Sequence, residues 1–276
     1  MSDHNTLSFS FISGKGGVGK SNLALNICYG LHLLGFSTLL MDCDMGLANM
    51  DVLLGIAPDH HVQDILISNM DTARVLVPIE GGQGAPFDLL PANAGLAEFA
   101  ELDSGARGIL RERLNPVAAR YNFFCMDAGA GISSMVLGFS AMTAVRIMVV
   151  TPEPTSLTDS YAMMKVLTAR HSIKDFYILV NQVESEEEGK STYKRLSTVC
   201  KRFLGYSPAF LGSVRTDKML TEAVRKQKPL LSVAPASPAA EDCMAAAERV
   251  KRLRENLIML RELGDPLRSL SIENSA

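Results

Sequence analysis

Residues 14–21 read Gly-Lys-Gly-Gly-Val-Gly-Lys-Ser, and their surroundings decide how the chain folds. Before them runs Leu7-Ser-Phe-Ser-Phe-Ile-Ser13, short, apolar and aromatic, which reads as a buried strand. After them, from Asn22 to Leu34, Leu23, Ile27, Leu31 and Leu34 recur at helical spacing, and Gly35 stops the helix. Strand, glycine loop and helix in succession form the setting of a phosphate-binding loop, and the spacing G-x-x-x-x-G-K-S is complete from Gly14 to Ser21. The glycines let successive N–H groups turn inward toward phosphate oxygens, and the helix adds the positive end of its dipole. Lys20 then supplies a point charge for the β- and γ-phosphates, and the Ser21 hydroxyl is placed to ligate Mg²⁺. Gly16, Gly17, Val18, Gly19, Lys20, Ser21 and Asn22 are the expected binding residues, and ATP/ADP with Mg²⁺ the expected ligands. A turn that matches the pattern by chance is the alternative.

Two further apolar segments end in acids. Ser37-Thr-Leu-Leu-Met-Asp42 leads into Cys43-Asp44, and carboxylates at i and i+2 of a strand end point to one side. Nucleotides sit at that end of a parallel sheet. Asp42 is therefore expected near Mg²⁺, and Asp44 near the γ-phosphate and an attacking water; capping of the following turn is the competing reading. Asn122-Phe-Phe-Cys-Met-Asp127 delivers one acid beside the loop, as a Walker B strand does, to hold Mg²⁺ or its water. Gly129 and Gly131 leave room behind it for a γ-phosphate sensor.

Strands alternate with helices along the chain, so the expected fold is α/β with a mainly parallel, doubly wound sheet. The 276 residues fit one large domain, residues 1–264, with 265–276 expected as a flexible tail. A net charge of −3 gives no global footprint for nucleic acid. No apolar run is long enough to cross a bilayer, and the start of the chain lacks a basic, apolar signal sequence. The five cysteines lack C-x-x-C pairing and read as core residues of a reducing cytoplasm. The pair His60-His61 has no further ligand at metal spacing and reads as loop. The charge run 184–190 reads as a solvated loop, 73–80 and 87–91 as strands, and 96–102 and 109–121 as helices.

Lys15 occupies a position that the general pattern leaves free, and alone it reads as a solvated charge. With its neighbours it forms KGGVGKS, which resembles the deviant phosphate loop of the MinD/ParA ATPases. That resemblance implies an ATP-dependent homodimer in which Lys15 reaches the partner's nucleotide, and a catalytic set of Lys15, Lys20 and Asp44, with Asp44 orienting water. Ala48 stands where the division-site members carry Arg. The string PEPTSLTDSYAMMK, from Pro152, is similar to an element of the flagellar FlhG/FleN (YlxH) branch, as is the S-x-x-E-G stretch Ser185–Gly189. The resemblance covers nearly the whole chain. It implies control of flagellar number or placement, and as partners a flagellar SRP-type GTPase, a flagellar switch protein or a transcriptional activator.

In that family an Asn at the place of Asn181 bonds adenine, and the loop at Arg215-Thr-Asp217 borders the base, although relatives carry Pro-Tyr-Asp there. Metal ligation falls to Ser21, Asp42 and Asp127. Val250, Leu253, Leu257 and Leu260 form an apolar stripe that suits either core packing or a peripheral membrane contact from the cytoplasm. Two alternatives stay open, a DNA-partitioning ATPase and an iron–sulfur member of the superfamily.

Overall fold

The computed structural model describes residues 5–44, 49–68, 70–79, 84–93 and 104–268. The expected helix at 96–102, most of the turn at 81–84, Ala48 and the last residues of the chain lie outside them. The elements run β1 (Leu7–Ser13), α1 (Lys20–Leu33), β2 (Thr38–Cys43), α2 (Met50–Leu54), α3 (Val62–Ile67), α4 (Thr72–Val75), β3 (Val77–Pro78) and β4 (Phe87–Leu90). They continue with α5 (Ser104–Ala118), β5 (Phe123–Ala130), α6 (Ser134–Met142), β6 (Val145–Val150), α7 (Pro154–His171) and β7 (Phe176–Val183). The last are α8 (Glu186–Leu204), β8 (Ala209–Arg215), α9 (Lys218–Arg225), α10 (Leu230–Val233) and α11 (Pro238–Met259).

The eight strands form one sheet in the order β3-β4-β2-β5-β1-β6-β7-β8. Every pairing is parallel except that of β3 with β4. Alternation along the strands sends side chains to both faces. In β5, Phe123 and Cys125 join α1 and α11, whereas Phe124 and Met126 join α3, α5 and α6. Because β1 is central, the loop at its C-terminal end lies where the strand order reverses, the place such sheets reserve for ligands.

Several expected boundaries move. The stretch expected as a strand at 73–80, described through 79, holds α4 and β3 instead, because the Asp71 side chain accepts from Ala73 N and starts a helical turn. The charge run at 184–190 opens α8: Ser185 caps the helix, and Glu186, Glu187 and Glu188 sit in its first turn, where the dipole favours acids. His61 caps α3. Helix α6 is buried from Met135 to Met142, so it carries no polar face that a periodicity search could find.

The apolar stripe of α11 serves the core. Val250 is buried, Leu253 and Leu257 pack against α1's layer, and only Leu260 is exposed. No helix among the described residues is long and apolar enough to cross a membrane. Beyond α11 the chain rounds the sheet rather than leaving it. Leu267 is fully buried among α5 and α6, its backbone N–H donates to Asn115 Oδ1 at 2.8 Å, and Arg268 N donates to Met142 O at 2.8 Å. The expected tail therefore begins as a docked strap through Arg268.

Candidate functional site

The glycine loop leaves β1 under tight steric control. A Cβ on Gly14 would lie 2.3 Å from the backbone carbonyl carbon of Asp159 in α7, so only glycine fits there. Gly17 and Gly19 have φ of 79° and 85°, the left-handed region that side chains resist. The loop borders a cleft of about 370 Å³ lined by Ser13, Gly16–Asn22, Asp44, Asn49, Val52, Leu53 and Ala130. Every expected loop residue thus faces one space together with Asp44.

The register of β2 with β5 sets Asp42 beside Asp127. Lys20 Nζ donates to Asp127 Oδ1 at 2.7 Å, and both side chains are buried. Asp127 Oδ2 finds no hydrogen-bond partner among the described residues. Burial raises the Asp127 carboxyl above the usual carboxylate range, while Lys20 and the Ser21 hydroxyl draw it down. A buried, unpartnered carboxylate oxygen next to Ser21 fits a hard cation such as Mg²⁺.

Asp42 is arranged differently from its expected metal role. Its Oδ1 accepts from Asp44 N at 3.0 Å, and its Oδ2 accepts from Asn49 N and Met50 N at 3.0 and 3.2 Å. Its carboxylate is thus bonded to the backbone just after β2 and at the start of α2, the capping reading. Burial and then the Asp127 charge push the Asp42 carboxyl up to about 7, against the backbone donors. Asp44 lies against Gly129, where an added Cβ would stand 3.5 Å from its carboxyl carbon.

Three expected residues have other partners here. Lys15 is not among the cleft-lining residues. Its Nζ reaches back to Glu153 Oε2 at 2.5 Å and Thr155 Oγ1 at 3.2 Å, at the start of α7. Asn181, buried at the end of β7, donates from Nδ2 to Val18 O at 2.8 Å and so braces the loop from behind. Arg215 donates from Nε to Asp242 Oδ2 at 2.8 Å and from Nη2 to Pro238 O at 3.0 Å. Its guanidinium is therefore committed to α11 and does not line the phosphate cleft.

The five cysteines are free and buried, and none lines the cleft. Among the described residues no cluster of His, Cys, Asp and Glu could hold a metal by itself. Residues missed by sequence reasoning include Glu153 and Thr155 beside Lys15, and Val52 and Leu53 on the cleft wall. The PEPTS string marked the first pair as a motif, but no one-dimensional signal places them against Lys15.

Residues 9–230 match the model of the CobQ/CobB/MinD/ParA nucleotide binding domain. The antiactivator FleN of Pseudomonas aeruginosa is 32% identical over 86% of this chain and 83% of its own. The flagellum site-determining protein YlxH of Helicobacter pylori is 30% identical over 84% of this chain and 77% of its own. Among solved structures, the septum site-determining protein MinD of Pyrococcus horikoshii complexed with Mg-ADP superposes with a TM-score of 0.74. That match has 21% identity and covers 90% of this chain and 97% of the other.

Proposed function

Because the chain belongs to the CobQ/CobB/MinD/ParA nucleotide-binding family, we propose that it is an ATP-hydrolysing, dimerising switch that regulates flagellar number or placement. The observation that carries the dimer is the position of Lys15. Its ammonium is outside the cleft of its own loop, in an exposed ion pair with Glu153. Such pairs contribute about 0–1 kcal/mol, so a stronger anion presented by a second copy can draw Lys15 away. The flagellar output rests on the likeness to FleN and YlxH. The Pseudomonas relative is described as an antiactivator, which makes a transcriptional activator the partner class to test first.

Within one subunit the residues divide the work. The backbone N–H groups of Gly16–Ser21 hold the phosphates, and Lys20 neutralises charge at their outer end. Ser21 and Asp127 would hold Mg²⁺, which when bound spreads the charge of the β- and γ-phosphates. Asp44, against Gly129 and open to the cleft, accepts a hydrogen bond from the attacking water and aims it in line. Asp42 ties β2 to the start of α2 and thereby sets where Asp44 stands.

Turnover of ATP by wild type and Asp44→Ala tests this division. The variant is expected to lose about 10²-fold in kcat, the scale of a missing general base, with ATP affinity changed less than about threefold. Equal kcat in the two proteins would remove Asp44 from the chemistry.

A further inference from the structure

We infer that Gln227 is a positioning residue for hydrolysis, latching α2, the wall of the nucleotide cleft, onto the end of α9. The inference rests on the ATPase reading and extends it to a residue far from the loop in sequence.

Helix α9 ends in a turn in which Gln227 N donates to Val224 O at 3.0 Å and Lys228 N to Ala223 O at 3.1 Å. Gln227 sits there with φ 53°, in the left-handed region where helices usually place glycine. Helices α2 and α8 end that way at Gly55 and Gly205, with φ of 64° and 78°, whereas α7 ends at Ser172 with φ 54°. A glutamine in this position carries a steric cost that glycine avoids, so its side chain is where a compensating gain should be sought.

The side chain crosses to α2. Gln227 Nε2 donates to Val52 O at 3.0 Å, a carbonyl at the C-terminal end of the helix. The contact is also steric, since a Cβ on Gly55 would lie 2.9 Å from Gln227 Oε1 and 3.0 Å from its Cβ. Gly55 and Gln227 thus interlock.

Helix α2 has five residues and packs on the core through Leu53 and Leu54. Met50 is buried beneath it, and Asp42 bonds the backbone at its start. Val52 and Leu53 line the cleft, and Asp44 stands just before the segment that leads into α2. The helix is therefore gripped at one end by the acid beside Asp127 and at the other by Gln227. Loosening the second grip should let α2 and the segment carrying Asp44 drift, which misaims the attacking water. Among the described residues the Gln227 amide donates to Val52 O and not to the glycine loop, so the loop's grip on ADP should be retained.

The test uses the full chain with Gln227→Gly and Gln227→Glu. Glycine removes the amide while relieving the backbone; glutamate keeps the shape but turns the donor into an acceptor facing a carbonyl. Hydrogen exchange at the amides of Leu53, Gly55 and Ile56 is read without nucleotide, beside kcat and the ADP dissociation constant. One lost hydrogen bond should speed exchange by about two- to tenfold and lower kcat by a similar factor, with ADP affinity within about twofold and no loss of melting temperature in Gln227→Gly. Unchanged exchange in both variants overturns the latch, whatever the enzyme does. Faster exchange with unchanged kcat, or with ADP affinity falling alongside kcat, overturns the positioning role. Absence of ATP turnover in wild type would instead refute the ATPase reading, while exchange still decides the latch.

Discussion

Lys20→Ala is expected to weaken ATP binding by about 30- to 5000-fold, the range for truncating one partner of a buried, hydrogen-bonded charge pair. Lys20 is buried and meets Asp127 at 2.7 Å, so its loss leaves Asp127 with Asp42 alongside and no ion-pair partner among the described residues. Two consequences follow from the same geometry. The phosphates lose their positive partner, and the acids lose the charge that opposes their protonation. In the nucleotide-free variant both acids should therefore take up protons more readily than in wild type.

The pH dependence has a definite sign. Asp42 titrates at about 7 in the folded protein, above its ordinary range, so the folded state binds the proton more tightly than the unfolded chain. Its contribution to stability is complete below about pH 4 and is lost as pH rises through about 7. Lys20→Ala should steepen that loss, because Asp127 is raised in the same direction and no longer has Lys20 to oppose the shift. Isothermal titration with ATP and thermal melts from pH 5 to 8 check both statements. Affinity within threefold of wild type, or a variant whose deficit shrinks as pH rises, would contradict them.

Arg146→Leu is expected to destabilise the fold by about 3 kcal/mol without touching nucleotide affinity. The Arg146 side chain is 1% exposed in its ion-pair geometry with Asp175, 4.0 Å away. Its bonds go mainly to backbone: Nε to Ser140 O at 2.8 Å, Nη1 to Ala144 O at 3.2 Å, and Nη2 to Ala141 O at 3.3 Å and to Thr143 O. These carbonyls belong to the end of α6 and the turn into β6, where a helix leaves its acceptors unsatisfied. Leucine fills part of the volume but donates nothing, and each abandoned buried acceptor costs about 1–3 kcal/mol. The guanidinium's own desolvation, which holds its pKa down to about 10, offsets part of that sum. Urea unfolding should show the loss, with ADP binding within about twofold. A change below about 1 kcal/mol would mean that water satisfies the α6 carbonyls.

Much of this molecule can be read in one dimension because backbone geometry leaves strong residue signatures. The glycine loop is legible since left-handed φ at Gly17 and Gly19 and the contact at Gly14 admit few other residues. The strands that carry Asp42 and Asp127 are legible because parallel strands buried on both faces are largely apolar, although β5 runs on to Ala130. Helix α6 is hard to see for the same reason, being apolar on every side. The start of α8 was visible as Ser185-x-x-Glu188, a cap signature that a run of acids disguises as a loop.

Contacts between distant segments are what the sequence hides. Asn181 bonding Val18 O, Lys15 resting on Glu153, Arg215 clamping α11 and Gln227 crossing to Val52 each depend on how separate elements stack. The capping of α2 by Asp42 shows the limit well. Spacing alone allows the carboxylate to face a metal or a turn, and only the folded chain shows three backbone donors on it.

In the proposed cycle ATP brings two copies together through Lys15, and Asp44 ends the association. Light scattering on a size column, with ADP and with ATP, measures it directly on wild type, Asp44→Ala and Lys15→Ala. Monomers are expected with ADP, a dimer with ATP that Asp44→Ala holds longer, and no dimer for Lys15→Ala. Monomers in every condition with ATP bound, or an unimpaired Lys15→Ala dimer, would contradict the cycle.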